Sequence, residues 1–182
     1  MHCNGASTIG HSLVGNALVH YLTAAGMICR PEVRFLRGDR KTRPDFLIAD
    51  AHGGLLLTDH TIVNPLAASR AAKTAASTLE DVARVKKEKY ADDAKNMGAT
   101  FTPLVCSVYG LLHPDALALL RLQSARASDA HVNRIGGRKA FINLLLSAVS
   151  CAIQKRNGVI IHTALQKILA ALPRPQGPIG IP

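Results

Sequence analysis

The sequence predicts an α/β domain with a mixed central sheet flanked by helices, and three observations carry that prediction. β-type runs occupy 45–49, 55–63 and 101–109. A long Ala-, Lys- and Glu-rich stretch of helical character separates the second run from the third. Leu and Ala at helical spacing mark further helices at both ends of the chain. A length of 182 residues buries one sizeable core and is too short for two full domains with a linker. One domain over 1–172 is therefore expected, with 173–182 as a Pro- and Gly-rich flexible tail.

Each element has a local reason. Leu13, Ala17, Leu18 and Leu22 recur at helical spacing over 12–25, and Gly26 follows as a stop. At 32–36, Val33 and Phe35 alternate with polar residues, a short strand. The runs 45–49 and 55–63 flank the five residues Asp50-Ala-His-Gly-Gly54, a hairpin signal. Pro65 ends the second run, and a helix over 66–97 is expected to stop at Gly98. After the strand at 101–109, helices are expected at 114–123, 138–155 and 159–172, with Gly136 and Gly137 as a turn or helix lead-in. The order is α-β-β-β-α-β-α with extra C-terminal helices.

Charge narrows the function. Lys and Arg number 22 against 12 Asp and Glu, a net charge of +10 that attracts polyanions. Arg30, Arg34, Arg37, Arg40, Lys41 and Arg43 fall just before the Asp45 run, which makes them candidates for contact with a nucleic acid, DNA or RNA, between which charge alone does not distinguish. Aromatic residues are only 4% with no Trp, so a base-stacking platform is not expected. No apolar run reaches the roughly 18 to 20 residues that span a bilayer, and the start lacks the pattern of a secretory signal, so an intracellular protein without a membrane partner is expected. The four cysteines lack paired spacing, which supports neither a disulfide framework nor a complete zinc finger. There is no nucleophile–His pair, Walker loop or dinucleotide fingerprint.

The informative pair is Asp45 and Asp59. A symmetric hairpin pairs Ala49 with Leu55 and so sets Asp45 opposite Asp59, at about 4.5 to 5.5 Å between cross-strand neighbours. Alternation places Leu57, Asp59 and Thr61 on one face and Thr58, His60 and Ile62 on the other. Two readings stay open on geometry alone: solvated acids at a hairpin edge, or carboxylates around a hard divalent cation such as Mg²⁺.

The segment Arg43-Pro44-Asp45, thirteen intervening residues, then Asp59-His60-Thr61-Ile62-Val63-Asn64-Pro65 resembles the restriction-enzyme-like endonuclease domain of site-specific non-LTR retrotransposons, a branch of the PD-(D/E)xK nuclease superfamily. Lys86-Lys87-Glu88-Lys89-Tyr90 is similar to that domain's K-x-x-K-Y helix, and 98–105 to its following strand. Leu146-Ser147 and Ala152-Ile-Gln154-Lys-Arg-Asn157 resemble its C-terminal segment, so the likeness runs from about His11 to Thr163. It implies a restriction-endonuclease-like core and a Mg²⁺- or Mn²⁺-dependent DNA endonuclease that nicks target DNA for target-primed reverse transcription. Asp45, Asp59 and the His60 backbone carbonyl would hold the metal. The superfamily's usual lysine position is Thr61 here, and the resembled group draws the lysine from the next helix, which points to Lys86, with Lys89 second. Lys86, Lys89 and Tyr90 share one helical face, for which a solvated Lys/Glu face is the other reading. The implied partners are DNA, and also element RNA and a reverse transcriptase region of a longer parent, with nuclear location for a eukaryotic element.

Gln154, Lys155 and Arg156 are candidates for phosphate contact, or simply cations placed at a helix C-terminus. Cys3 and His11 resemble half of a zinc module, and four ligands are needed, so zinc is not expected. His20, His113, His131 and His162 are read as surface or satisfied core residues, and Cys106 as a buried inert thiol. Two alternatives accompany the nuclease: a decayed or domesticated nucleic-acid-binding remnant of the same fold, and another nuclease of the superfamily acting in repair or restriction.

Overall fold

The structure is a computed structural model that describes residues 4–31, 44–49 and 53–171, with side chains from residue 12 onward apart from residue 169. Its elements are α1 (Asn4–Ala24), β1 (Ile28–Pro31), β2 (Phe46–Ala49), β3 (Leu55–Thr58), β4 (His60–Val63), α2 (Ala75–Asn96), β5 (Thr100–Phe101), β6 (Leu104–Ser107), α3 (Pro114–Arg126), α4 (Asp129–Arg134) and α5 (Arg138–Ala171).

The sheet is mixed. β1 and β2 pair antiparallel, as do β2 and β3, while β3 runs parallel to β5 and β4 parallel to β6. The hairpin has the expected register, Ala49 opposite Leu55 through to Phe46 opposite Thr58, so the next step sets Asp45 across from Asp59. The run expected as one strand over 55–63 is interrupted at Asp59, and that expected over 101–109 is split into β5 and β6. The two parallel ladders share a register, Leu57 with Phe101 and His60 with Leu104, which sets Asp59 against Pro103. The Pro103 nitrogen, which has no N–H, faces the other edge of its strand, so the ladder loses no donor there. The neighbouring amides keep the strands together: Thr102 donates to the Leu57 carbonyl at 3.0 Å and Leu104 to the Asp59 carbonyl at 3.1 Å.

Helices cover both faces. On one, Val14, Leu18 and Leu22 of α1 interlock with Phe141, Leu145, Val149 and Ile153 of α5 over Phe46, Ile48, Leu56, Leu104 and Cys106 of the sheet. Each such buried side chain contributes about 1.5–3 kcal/mol. On the other face, Leu79 and Ala83 of α2 close on Val63 and Val105. Gly15 lets α1 lie directly on the sheet, since a Cβ there would stand 2.8 Å from Phe46 Cζ.

Several expected boundaries are corrected. α1 begins at Asn4 rather than 12. The helix expected from 66 starts at Ala75, because a 3-10 turn (Ala68–Arg70) follows Pro65 and Thr74 caps the helix, its hydroxyl accepting from Ser77 N–H at 3.1 Å. The helices expected at 138–155 and 159–172 are one helix, since Gly158 continues α5 without a break. Joined, they give a stretch, Arg138–Ile168, that is long and apolar enough by length and composition to cross a membrane. That revises the expectation of no such run, and the helix packs its Phe141, Leu145 and Val149 face on α1. α4 was not expected. Gly136 and Gly137, at φ of 95° and 99°, form the lead-in to α5 as expected. The strand expected at 32–36 and the tail at 173–182 lie outside the described residues.

Candidate active site

The interruption at Asp59 creates the site. Alternation turns Asp59 toward α2 and His60 toward α1, and both are buried at 5% and 2% exposure. Lys86 and Tyr90 stand one helical turn apart on the α2 face that meets the sheet. Lys86 Nζ forms an ion pair with Asp59 Oδ2, and the Tyr90 hydroxyl donates to Asp59 Oδ1 at 2.7 Å. Tyr90 is fixed by its ring, whose centroid lies 4.8 Å from that of Phe101. Lys89 lies on the outer side, donating to the Tyr90 hydroxyl at 3.1 Å with its ammonium 4.6 Å from the ring centre. Burial, followed by the Asp59 hydrogen bond and the nearby Asp59 and Asp45 charges, pushes the Tyr90 phenol well above its ordinary value. It therefore stays a proton donor to Asp59.

Asp45 sits just ahead of β2. Its Oδ2 accepts from the His60 backbone N–H at 2.8 Å and lies 2.8 Å from His60 Nδ1. The His60 ring stacks on Phe46 at 5.8 Å between centroids. The inward His60 side chain leaves the hairpin register intact, because the chain passes from the β3 ladder to the β4 ladder at Asp59. In extended backbone the N–H and C=O of one residue point to the same edge, so the His60 carbonyl is on the Asp45 side.

The structure thus brings Asp45, Asp59, His60, Lys86, Lys89 and Tyr90 into one cluster. The donors available to a cation there are two carboxylates and a backbone carbonyl, hard oxygens that suit Mg²⁺ or Mn²⁺ and not the nitrogen and sulfur sets of structural zinc. Among the described residues no group of three or more His, Cys, Asp and Glu forms a metal site. A cation held between Asp45 and Asp59 would therefore keep several waters.

The remaining candidates lie elsewhere. Arg37, Arg40, Lys41 and Arg43 fall outside the described residues, as do Cys3 and the His11 side chain. Gln154 and Lys155 are exposed and Arg156 half-buried on α5, the opposite side of the sheet from α2. Asn157 Nδ2 donates to the Val108 carbonyl at 2.7 Å, beyond the C-terminal end of β6. These residues do not join the Asp59 cluster. Cys106 is fully buried, its thiol pushed up to about 12 by burial, as its inert role requires.

His113, expected as a surface or satisfied core residue, is a satisfied core residue at the centre of a polar cluster. His113 is buried, accepts the Asp115 N–H at Nδ1 (3.2 Å) as the cap of α3, and places Nε2 2.8 Å from Glu80 Oε2. The signal was His113-Pro114-Asp115, since proline at the first helical position marks the residue before it as the cap. It pins α2 to the start of α3 and so steadies the helix that carries Lys86.

No protein-family model matches the chain, and a search of curated proteins finds no significant match.

Proposed function

We propose that this domain is a divalent-metal-dependent DNA endonuclease with a restriction-endonuclease-like core, as the resemblance to the non-LTR retrotransposon endonucleases implies. The observation that carries the reading is the convergence of Lys86 and Tyr90 on Asp59, with Asp45 across the hairpin. A net charge of +10 supports a polyanionic substrate.

Asp45, Asp59 and the His60 carbonyl would hold Mg²⁺ or Mn²⁺, which when bound supplies charge that polarises the phosphodiester and eases deprotonation of water. Tyr90 holds Asp59 in one orientation through its hydroxyl. Lys86 brings a positive charge to the same carboxylate, where it also meets the phosphoryl oxygens that gain charge in the transition state. Lys89, one step out, is placed to pair with a flanking phosphate. Within a longer parent, a reverse transcriptase region and element RNA would be the partners, with DNA as substrate and the nucleus as the place of action in a eukaryote.

The satisfied state of Asp59 favours a second reading, a remnant that binds nucleic acid without cutting it, since both carboxylate oxygens already have protein partners in Lys86 and Tyr90. Nicking of supercoiled plasmid separates the two. The nuclease reading expects nicking with Mg²⁺ or Mn²⁺ that EDTA and Asp45→Ala abolish. Plasmid retarded in a gel but never cut selects the remnant.

A further inference from the structure

Beside Lys86, on the side away from Tyr90, a cavity of about 320 Å³ opens between the 68–73 turn and the first turns of α2. Three cationic side chains line it: Arg70, Lys73 and Lys86. Asp81 is the acidic residue among them, paired with Lys73. Arg70 is held over the opening by its Nη1 donating to the Asn64 carbonyl at 3.2 Å. Thr78 closes the wall at 2% exposure, and its buried hydroxyl has no hydrogen-bond partner among the described residues. The positive end of the α2 dipole lies at the same place. Three cations and a helix start around one open cavity suit a tetrahedral oxyanion better than any apolar ligand.

We propose that this cavity is a binding site for a backbone phosphate of the nucleic-acid strand, next to the one at Asp59. The inference rests on the nuclease reading for its substrate and extends it, because it fixes the direction in which the strand leaves the reacting centre: along the N-terminal turns of α2, past Lys86 toward Arg70. Lys86 is shared between the two places, paired with Asp59 and lining the cavity. Asp81 acts against the ligand by holding Lys73.

The test is equilibrium binding of a fluorescent duplex and of the matching single strand, without divalent metal, across a salt series. Arg70→Ala and Lys73→Ala are each expected to weaken binding of all sequences alike. Each should also lower the slope of log affinity against log salt by about 0.7–0.9 for every phosphate that is no longer neutralised. Asp81→Asn is expected to tighten binding, an outcome that misfolding cannot imitate. Inorganic phosphate should compete with wild type and not with the Arg70→Ala/Lys73→Ala double variant. Unchanged slopes, or Asp81→Asn weaker than wild type, would overturn the site. Competition by phosphate without any change in strand binding would also overturn it, leaving an anion pocket unrelated to the strand. Metal-dependent nicking with unchanged slopes would sink this inference alone. Slopes that fall as expected in a protein that never nicks would sink the catalytic reading alone.

Discussion

Removing the Tyr90 hydroxyl takes away one of the two groups that hold Asp59, and the loss can be read in stability and in pH dependence. A hydrogen bond to a buried charge is worth about 1.5–3 kcal/mol, so Tyr90→Phe should lower unfolding free energy by that order in a urea titration. The raised phenol adds an alkaline signature. The unfolded phenol releases its proton near 10.0 and the folded one well above that, so stability from this group is complete below pH 10 and falls as pH rises further. Wild type should therefore lose stability above pH 10 more steeply than Tyr90→Phe, and parallel curves would contradict the buried bond. Lys86→Met leaves Asp59 at 5% exposure without its cation, which should cost about 3 kcal/mol. The same change should slow cleavage about a hundredfold or more at saturating DNA, as loss of one group that stabilises transition-state charge does. At this scale the sequence was legible where spacing is rigid. A five-residue link fixed Asp45 against Asp59, and the helical repeat put Lys86 and Tyr90 on one face. The approach of His60 to Asp45 was not legible, because it depends on the passage of the chain from the β3 ladder to the β4 ladder at Asp59, which pairing with a third segment sets.

The elements differ from the sequence pattern where a local signal competes with a longer one. Ala-rich composition extended α2 back to 66, yet the helix waits for Thr74, whose hydroxyl gives the Ser77 amide a partner that Ala67 or Ala68 lacks. Thr74→Ala should cost about 1 kcal/mol in thermal or denaturant unfolding. The break expected between 155 and 159 does not occur, since Gly158 lacks the left-handed φ of a helix end and sits inside a continuous helix. A Cβ there meets nothing within 4 Å, so Gly158→Ala should raise stability by about 0.5–1 kcal/mol. A loss of stability would mean that α5 breaks at that point. α4, at six residues, is too short for any helical periodicity to show in the sequence.

For the molecule as a whole, the division of labour follows the sheet. One face is an apolar core of α1, α3 and α5 that fixes the strands, and the other carries α2 with its row of Lys86, Lys89 and Tyr90 over Asp59. The mixed sheet and its flanking helices were readable from strand and helix patterns. How α2 crosses the sheet was not, since that is set by packing of Leu79 and Ala83 on Val63 and Val105 and by the His113 clamp to Glu80. The central claim is that Asp59 organises a cutting centre and is more than a structural acid. It is tested most directly by single-turnover nicking of plasmid at saturating protein, comparing wild type with Asp59→Asn, which keeps an acceptor for the Tyr90 hydroxyl and the volume of the side chain. The account predicts Mg²⁺-dependent nicking by wild type and its loss in Asp59→Asn with plasmid binding retained. Equal nicking by both proteins would contradict it.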